Sequence, residues 1–78
     1  MNMSYEGALD IIERIDDYLQ KTEELVTIME IAHKIEHHPE LVKKCINTLI
    51  KINRVIVRDG KVAGIDSYAA FLSVWKFK

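Results

Sequence analysis

Residues 33 to 45, HKIEHHPELVKKC, hold all three histidines and the only cysteine of the chain. Imidazole and thiolate are the ligands zinc favours, and His33 and His37 stand four apart, the spacing that puts two imidazoles on one helical face. His38 and Cys45 would complete a set of four ligands. Three features of the stretch oppose that chemistry. Pro39 disfavours helical geometry in the residue before it, so His37 and His38 fall where a helix must end. Cys45 stands among Leu41, Val42, Ile46 and Leu49, where a cysteine behaves as a small buried hydrophobe. No C-x-x-C or H-E-x-x-H pair accompanies them. The expectation is no metal and no cofactor, with His37 and His38 as turn residues, one of which contacts a phosphate or caps the helix that follows.

Catalytic chemistry finds less support. Cys45 and a histidine are nominally nucleophile and base, but a cysteine on an apolar stripe makes a poor thiolate. Asp16-Asp17 and Glu23-Glu24 are adjacent carboxylates that diverge instead of converging, and no Gly-rich loop is present to cradle a phosphate. With 78 residues, the chain is one domain, and it can bury only roughly 60–65% of the surface its unfolded form exposes. An interaction module is therefore expected, and not an enzyme.

Composition agrees. Apolar residues make up 49% and charged residues 29%, as in a folded globular chain and not a disordered one. The longest weakly charged run, around 65–75, is too short and too polar to span a bilayer. MNMSYEGALD lacks a signal-peptide pattern, and a lone cysteine forms no internal disulfide, so a cytoplasmic location is expected. Net charge is −1, but residues 1–36 carry nine acids against three bases, and residues 37–78 carry eight bases against three acids. That division predicts one acidic and one basic face.

These residues have to be positioned by the elements around them. From Tyr5 to about Leu19 or Gln20, Ala8, Leu9, Ile11, Ile12, Ile15, Tyr18 and Leu19 recur at helical spacing, with Asp10, Glu13, Asp16 and Asp17 on the opposite side. Leu25 and Val26 form a short strand or an extended connector. Thr27 and Glu30 have the spacing of a capping box that opens a second helix over about 28–36, with Ile28, Ile31, Ala32 and Ile35 on one stripe. Pro39 then suits the first turn of a third helix, over about 39–52, and Glu40 complements its dipole. Leu41, Val42, Cys45, Ile46, Leu49 and Ile50 give that helix an apolar side; Glu40, Lys43, Lys44, Asn47, Thr48 and Lys51 lie together on the other. Val55-Ile56-Val57, Asp59-Gly60 and Lys61-Val62-Ala63 spell a hairpin with a two-residue turn. After it, DSYAAFLSVWKFK reads either as a helix capped by Asp66 or Ser67 or as an alternating strand, with the helix favoured.

Helix, short extended segment, helix, tight turn, helix and β-hairpin is an order that resembles the winged helix-turn-helix family, here over roughly Ala8 to Ile65. TIMEIAHKIEHHPELVKKCINTLIKINRVIVRDGKVAGI carries the resemblance best. Ile31-Ala32 matches the core pair of the second helix, and Val42, Ile46 and Leu49 match the inward positions of the recognition helix. His37-His38-Pro39 departs from the family, replacing the small residue or glycine usual in the turn. The expected fold is α+β and mainly α: a three-helix core, a C-terminal β-hairpin wing over about 54–65, and an extra C-terminal helix in segment 67–78.

The resemblance implies sequence-specific double-stranded DNA binding by a transcriptional regulator, with the third helix in the major groove and the wing on the backbone. It assigns the contacts to Lys43, Lys44, Asn47, Thr48 and Lys51 on the helix, to Arg54, Arg58 and Lys61 near the wing, and to His38 at the corner. The residue types suit the task. Lysine and arginine neutralise phosphates, asparagine can pair with adenine through two bonds, and threonine offers a hydroxyl and a methyl. Tyr68, Phe71, Leu72 and Trp75 form either a core-completing tail or a homodimer interface, the latter being expected because aromatic anchors favour interfaces and such regulators work as two-fold dimers. The alternative is a winged helix that serves as a protein–protein adaptor, docking through its acidic first helix or aromatic tail.

Overall fold

The fold is taken from a computed structural model, which describes residues 5–67 and 69–71. Three helices, α1 (Tyr5–Lys21), α2 (Ile28–Ile35) and α3 (Pro39–Lys51), precede two antiparallel strands, β1 (Val55–Arg58) and β2 (Lys61–Gly64). The architecture is α+β and mainly α. Among the described residues, no helix is long and apolar enough to cross a membrane.

Each boundary has a local cause. The Thr27 hydroxyl accepts the N–H of Glu30 at 3.1 Å and starts α2. The α2 helix ends one residue earlier than its pattern predicts, because Glu36 adopts a left-handed conformation, with φ 59° and ψ 48°. Its own N–H and that of His37 both close on the Ala32 carbonyl, which satisfies the orphan acceptor at the helix end. At this left-handed position a side chain costs roughly 1–2 kcal/mol more than glycine would. His38 is extended, with ψ 136°, as a residue preceding proline should be, and Pro39 occupies the first helical turn.

The α1 helix presents Ile11, Ile15 and Leu19 inward. The α2 helix adds Ile31, Ala32 and Ile35, α3 adds Val42, Cys45, Ile46 and Leu49, and the strands contribute Val55 and Val62, all in one buried cluster. Val26 belongs to it as well, through two backbone hydrogen bonds to Val62 of 2.9 and 2.7 Å. Val26 is therefore an extended segment bridged to β2, which places β2 between Val26 and β1.

In the hairpin, Val55 pairs with Gly64, Val57 with Val62 and Arg58 with Lys61, which leaves Asp59 and Gly60 as the two turn residues. Both have positive φ, 51° and 77°, the geometry that matches the natural twist of the strands. The far face of the sheet is covered by the start of the tail: Ala69 and Ala70 are buried with Ala63, and Leu25 and Ile56 pack against them. Ser67 is buried, but its hydroxyl donates to the Gly64 carbonyl and accepts the Ala70 N–H, which caps the helical residues 69–71. The described part of the tail thus covers one face of the two-stranded sheet. Tyr68, Leu72 and Trp75 lie outside the described residues.

A polar clasp ties α1 to the hairpin. The Gln20 amide donates to the Asp16 carboxylate and to the Arg54 carbonyl, and its oxygen accepts the Asp66 N–H at 2.7 Å. Gly64 lies directly beneath this side chain, and nothing in the sequence periodicity marks it.

Candidate nucleic-acid interface

The outer face of α3 follows from the same helical repeat that fills the core. Val42, Cys45, Ile46 and Leu49 point inward, so Lys43, Lys44, Asn47, Thr48 and Lys51 point to solvent, and all five are exposed. None of the three lysines forms an ion pair with another described residue. The Thr48 hydroxyl donates to the Lys44 carbonyl at 3.3 Å, one turn back. Glu40 shares this exposed side.

One side chain of the apolar side lies at its margin. Ile50 is 38% exposed, against 1% for its neighbour Leu49. It borders the outer face, one turn beyond Asn47 and two beyond Lys43. The apolar period alone could not separate it from Leu49, because both fall within the apolar half of the repeat.

The basic residues of the hairpin and its approach divide. Lys61 is exposed at the hairpin tip, and Arg58, its cross-strand neighbour, is half-buried. Arg54 faces α1: its guanidinium contacts Asp16 at 3.3 Å and Asp66 at 3.4 Å. Two carboxylates therefore compensate Arg54 within the fold, and it is set apart from the lysines of α3. The pairing was hidden in the sequence because Asp16 is 38 residues away.

The histidines separate too. His33 is exposed near the end of α2, and His37 is half-buried in the turn; both border a shallow depression with Met29, Ala32, Glu36 and Pro39. His38 is the N-cap of α3, its Nδ1 accepting the Glu40 N–H at 3.2 Å. With that nitrogen engaged at the helix, only Nε2 is left for a phosphate. Among the described residues, no group of three His, Cys, Asp or Glu side chains is arranged to hold a metal ion.

Cys45 is buried within the core, and its burial pushes the thiol above its ordinary range. Because the folded form disfavours the thiolate, stability is unaffected by this group below the ordinary thiol range and falls as pH rises above it. The native thiol is expected to react with a maleimide at least about a hundredfold more slowly than in denaturant, since attack needs both opening and deprotonation. Equal labelling rates in the two conditions would contradict this placement.

Compared with protein-family models, with curated proteins and with solved structures, the chain matches none of them.

Proposed function

We propose that this chain is a winged helix-turn-helix protein that binds double-stranded DNA sequence-specifically as a transcriptional regulator. In this reading α3 lies in the major groove, and the hairpin is a wing against the flanking backbone. The observation that carries it is the outer face of α3, where Lys43, Lys44, Asn47, Thr48 and Lys51 are all exposed on one side. A 13-residue helix is about 20 Å long, and a major groove of about 12 Å width admits it. Lys61 at the hairpin tip is a further exposed base, and the acids of α1 lie on a different element. Glu40 opposes phosphate unless it accepts from a cytosine amino group.

The roles divide by chemistry. Lys43, Lys44, Lys51 and Lys61 neutralise phosphates and release counterions, which gives affinity without sequence information. Asn47 presents an acceptor and a donor together, the complement of the adenine edge. Phe71, 60% exposed, is the described residue that would join a homodimer contact, giving two half-sites.

Titration with random-sequence and selected duplexes at several salt concentrations tests the reading. Four lysine–phosphate contacts give a slope of about −3.6 in log affinity against log salt. Lys44→Ala is expected to reduce that slope by about 1, and Asn47→Ala to cost about 1–3 kcal/mol on the selected duplex with the slope unchanged. The stoichiometry of the same titration reads the dimer. No duplex binding at low salt would overturn the reading and turn attention to the adaptor alternative, docking through the acidic α1 or the aromatic tail, of which Phe71 is 60% exposed.

A further inference from the structure

We infer that Ile50 is a specificity-determining residue that contacts a thymine 5-methyl group beside the base read by Asn47, so that the bound site carries an A·T pair at that step. The inference rests on the DNA-binding reading above and adds to it a partner group and a base preference.

The first support is position. Ile50 borders the outer face of α3, three residues after Asn47 and seven after Lys43, on the rows that share a helical side. Three residues advance the helix by about 4.5 Å, close to the roughly 3.4 Å between successive base pairs. A side chain one turn beyond Asn47 therefore reaches the same base pair or its neighbour.

The second support is chemistry. Val42, Cys45, Ile46 and Leu49 are 0, 4, 2 and 1% exposed, whereas Ile50 is 38% exposed, so it sits at the margin of the core with over a third of its surface open beside the outer face. The buried part of Ile50 suits the core margin, and the open part gains nothing from water, so an apolar group on the groove side is what it has to offer a partner. Within the major groove, the apolar feature on a base edge is the thymine methyl, and an aliphatic side chain is the group that recognises it. Ile50 is also the large apolar side chain of α3 that is exposed within the helix itself; Ile52, at 58%, follows its last turn.

The test uses a duplex selected by the full chain from a randomised library, then remade with deoxyuridine in place of one thymine at a time. Deoxyuridine keeps the hydrogen-bonding edge and removes only the methyl. At one position the substitution is expected to weaken binding about fourfold, the equivalent of one buried methyl group. Ile50→Ala should bind the thymine and uracil duplexes equally, and Ile50→Val should fall between. Circular dichroism melting checks the fold, and Ile50→Val keeps the comparison open if the alanine variant is unstable. A selected site without thymine, no sensitive position, or unchanged discrimination in Ile50→Ala would overturn the inference while leaving salt-dependent binding intact. Loss of all duplex binding by the unmodified chain would overturn both.

Discussion

Gly64→Ala is expected to destabilise the protein by about 3 kcal/mol, a fall in Tm of roughly 12–24 °C for a chain of this size. A Cβ at this position would stand 2.5 Å from the Gln20 side-chain oxygen, 2.6 Å from its Cδ and 2.7 Å from the Gln20 backbone nitrogen. The side chain could swing aside, but the Arg54 carbonyl and the Asp66 N–H would each lose their bond to Gln20. The backbone nitrogen belongs to the last turn of α1 and cannot move without shifting Leu19, which is fully buried. Relief must therefore come from separating α1 and the hairpin, at the expense of the core between them. Gly60→Ala is the internal control. Its Cβ would meet open space, so only the positive φ of 77° opposes it, at roughly 1–2 kcal/mol. Thermal and urea unfolding of both variants checks the contrast. Equal losses, or a loss below about 1 kcal/mol at Gly64, would mean that α1 does not sit this close to β2.

Gln20, Arg54 and Gly64 also mark where the sequence stops being readable. Helical period, the Thr27 cap, Pro39 and Asp59-Gly60 act within a few residues, and each local signal has its counterpart: α1, α2, α3 and the hairpin fall within a residue or so of where these signals put them. Long-range partners carry no such signal. Gln20 and Arg54 are polar residues on polar stretches, and only the docking of α1 on the hairpin makes them a clasp around Gly64. Val26 shows the intermediate case: its apolar β-branched type allowed a short strand or an extended connector, and its two bonds to Val62 make it an extended connector with a single bridge to β2. At the candidate interface, the exposed side of α3 was legible because the buried side was. Arg54 was not, because its charge suits phosphate as well as it suits Asp16 and Asp66. Ile50 was not, because a period of 3.6 assigns a side of the helix and not a depth at its margin.

Reversing the three lysines of α3 together, Lys43→Glu, Lys44→Glu and Lys51→Glu, is expected to weaken duplex binding by about a thousandfold or more at moderate salt, with little change in Tm. Each substitution removes a phosphate contact and adds a carboxylate that repels one, so an effect of roughly tenfold per site is a low figure. Stability should hold, because all three lysines are exposed and none forms an ion pair with a described residue. Exposed charges away from such pairs typically change stability by no more than about 0.5 kcal/mol each. The comparison that gives the result meaning is Arg54→Ala. Its guanidinium is held by Asp16 and Asp66, so its removal should lower Tm while leaving the salt dependence of binding in place. A net-charge effect would weaken binding in proportion to charge wherever the change was made. With α3 in the groove, as proposed, the two effects would separate: the triple variant would lose affinity and keep its fold, and Arg54→Ala would do the reverse. If the triple variant bound duplex as tightly as the unmodified chain, α3 would not be the DNA-facing helix, and its lysines would be a solvated surface.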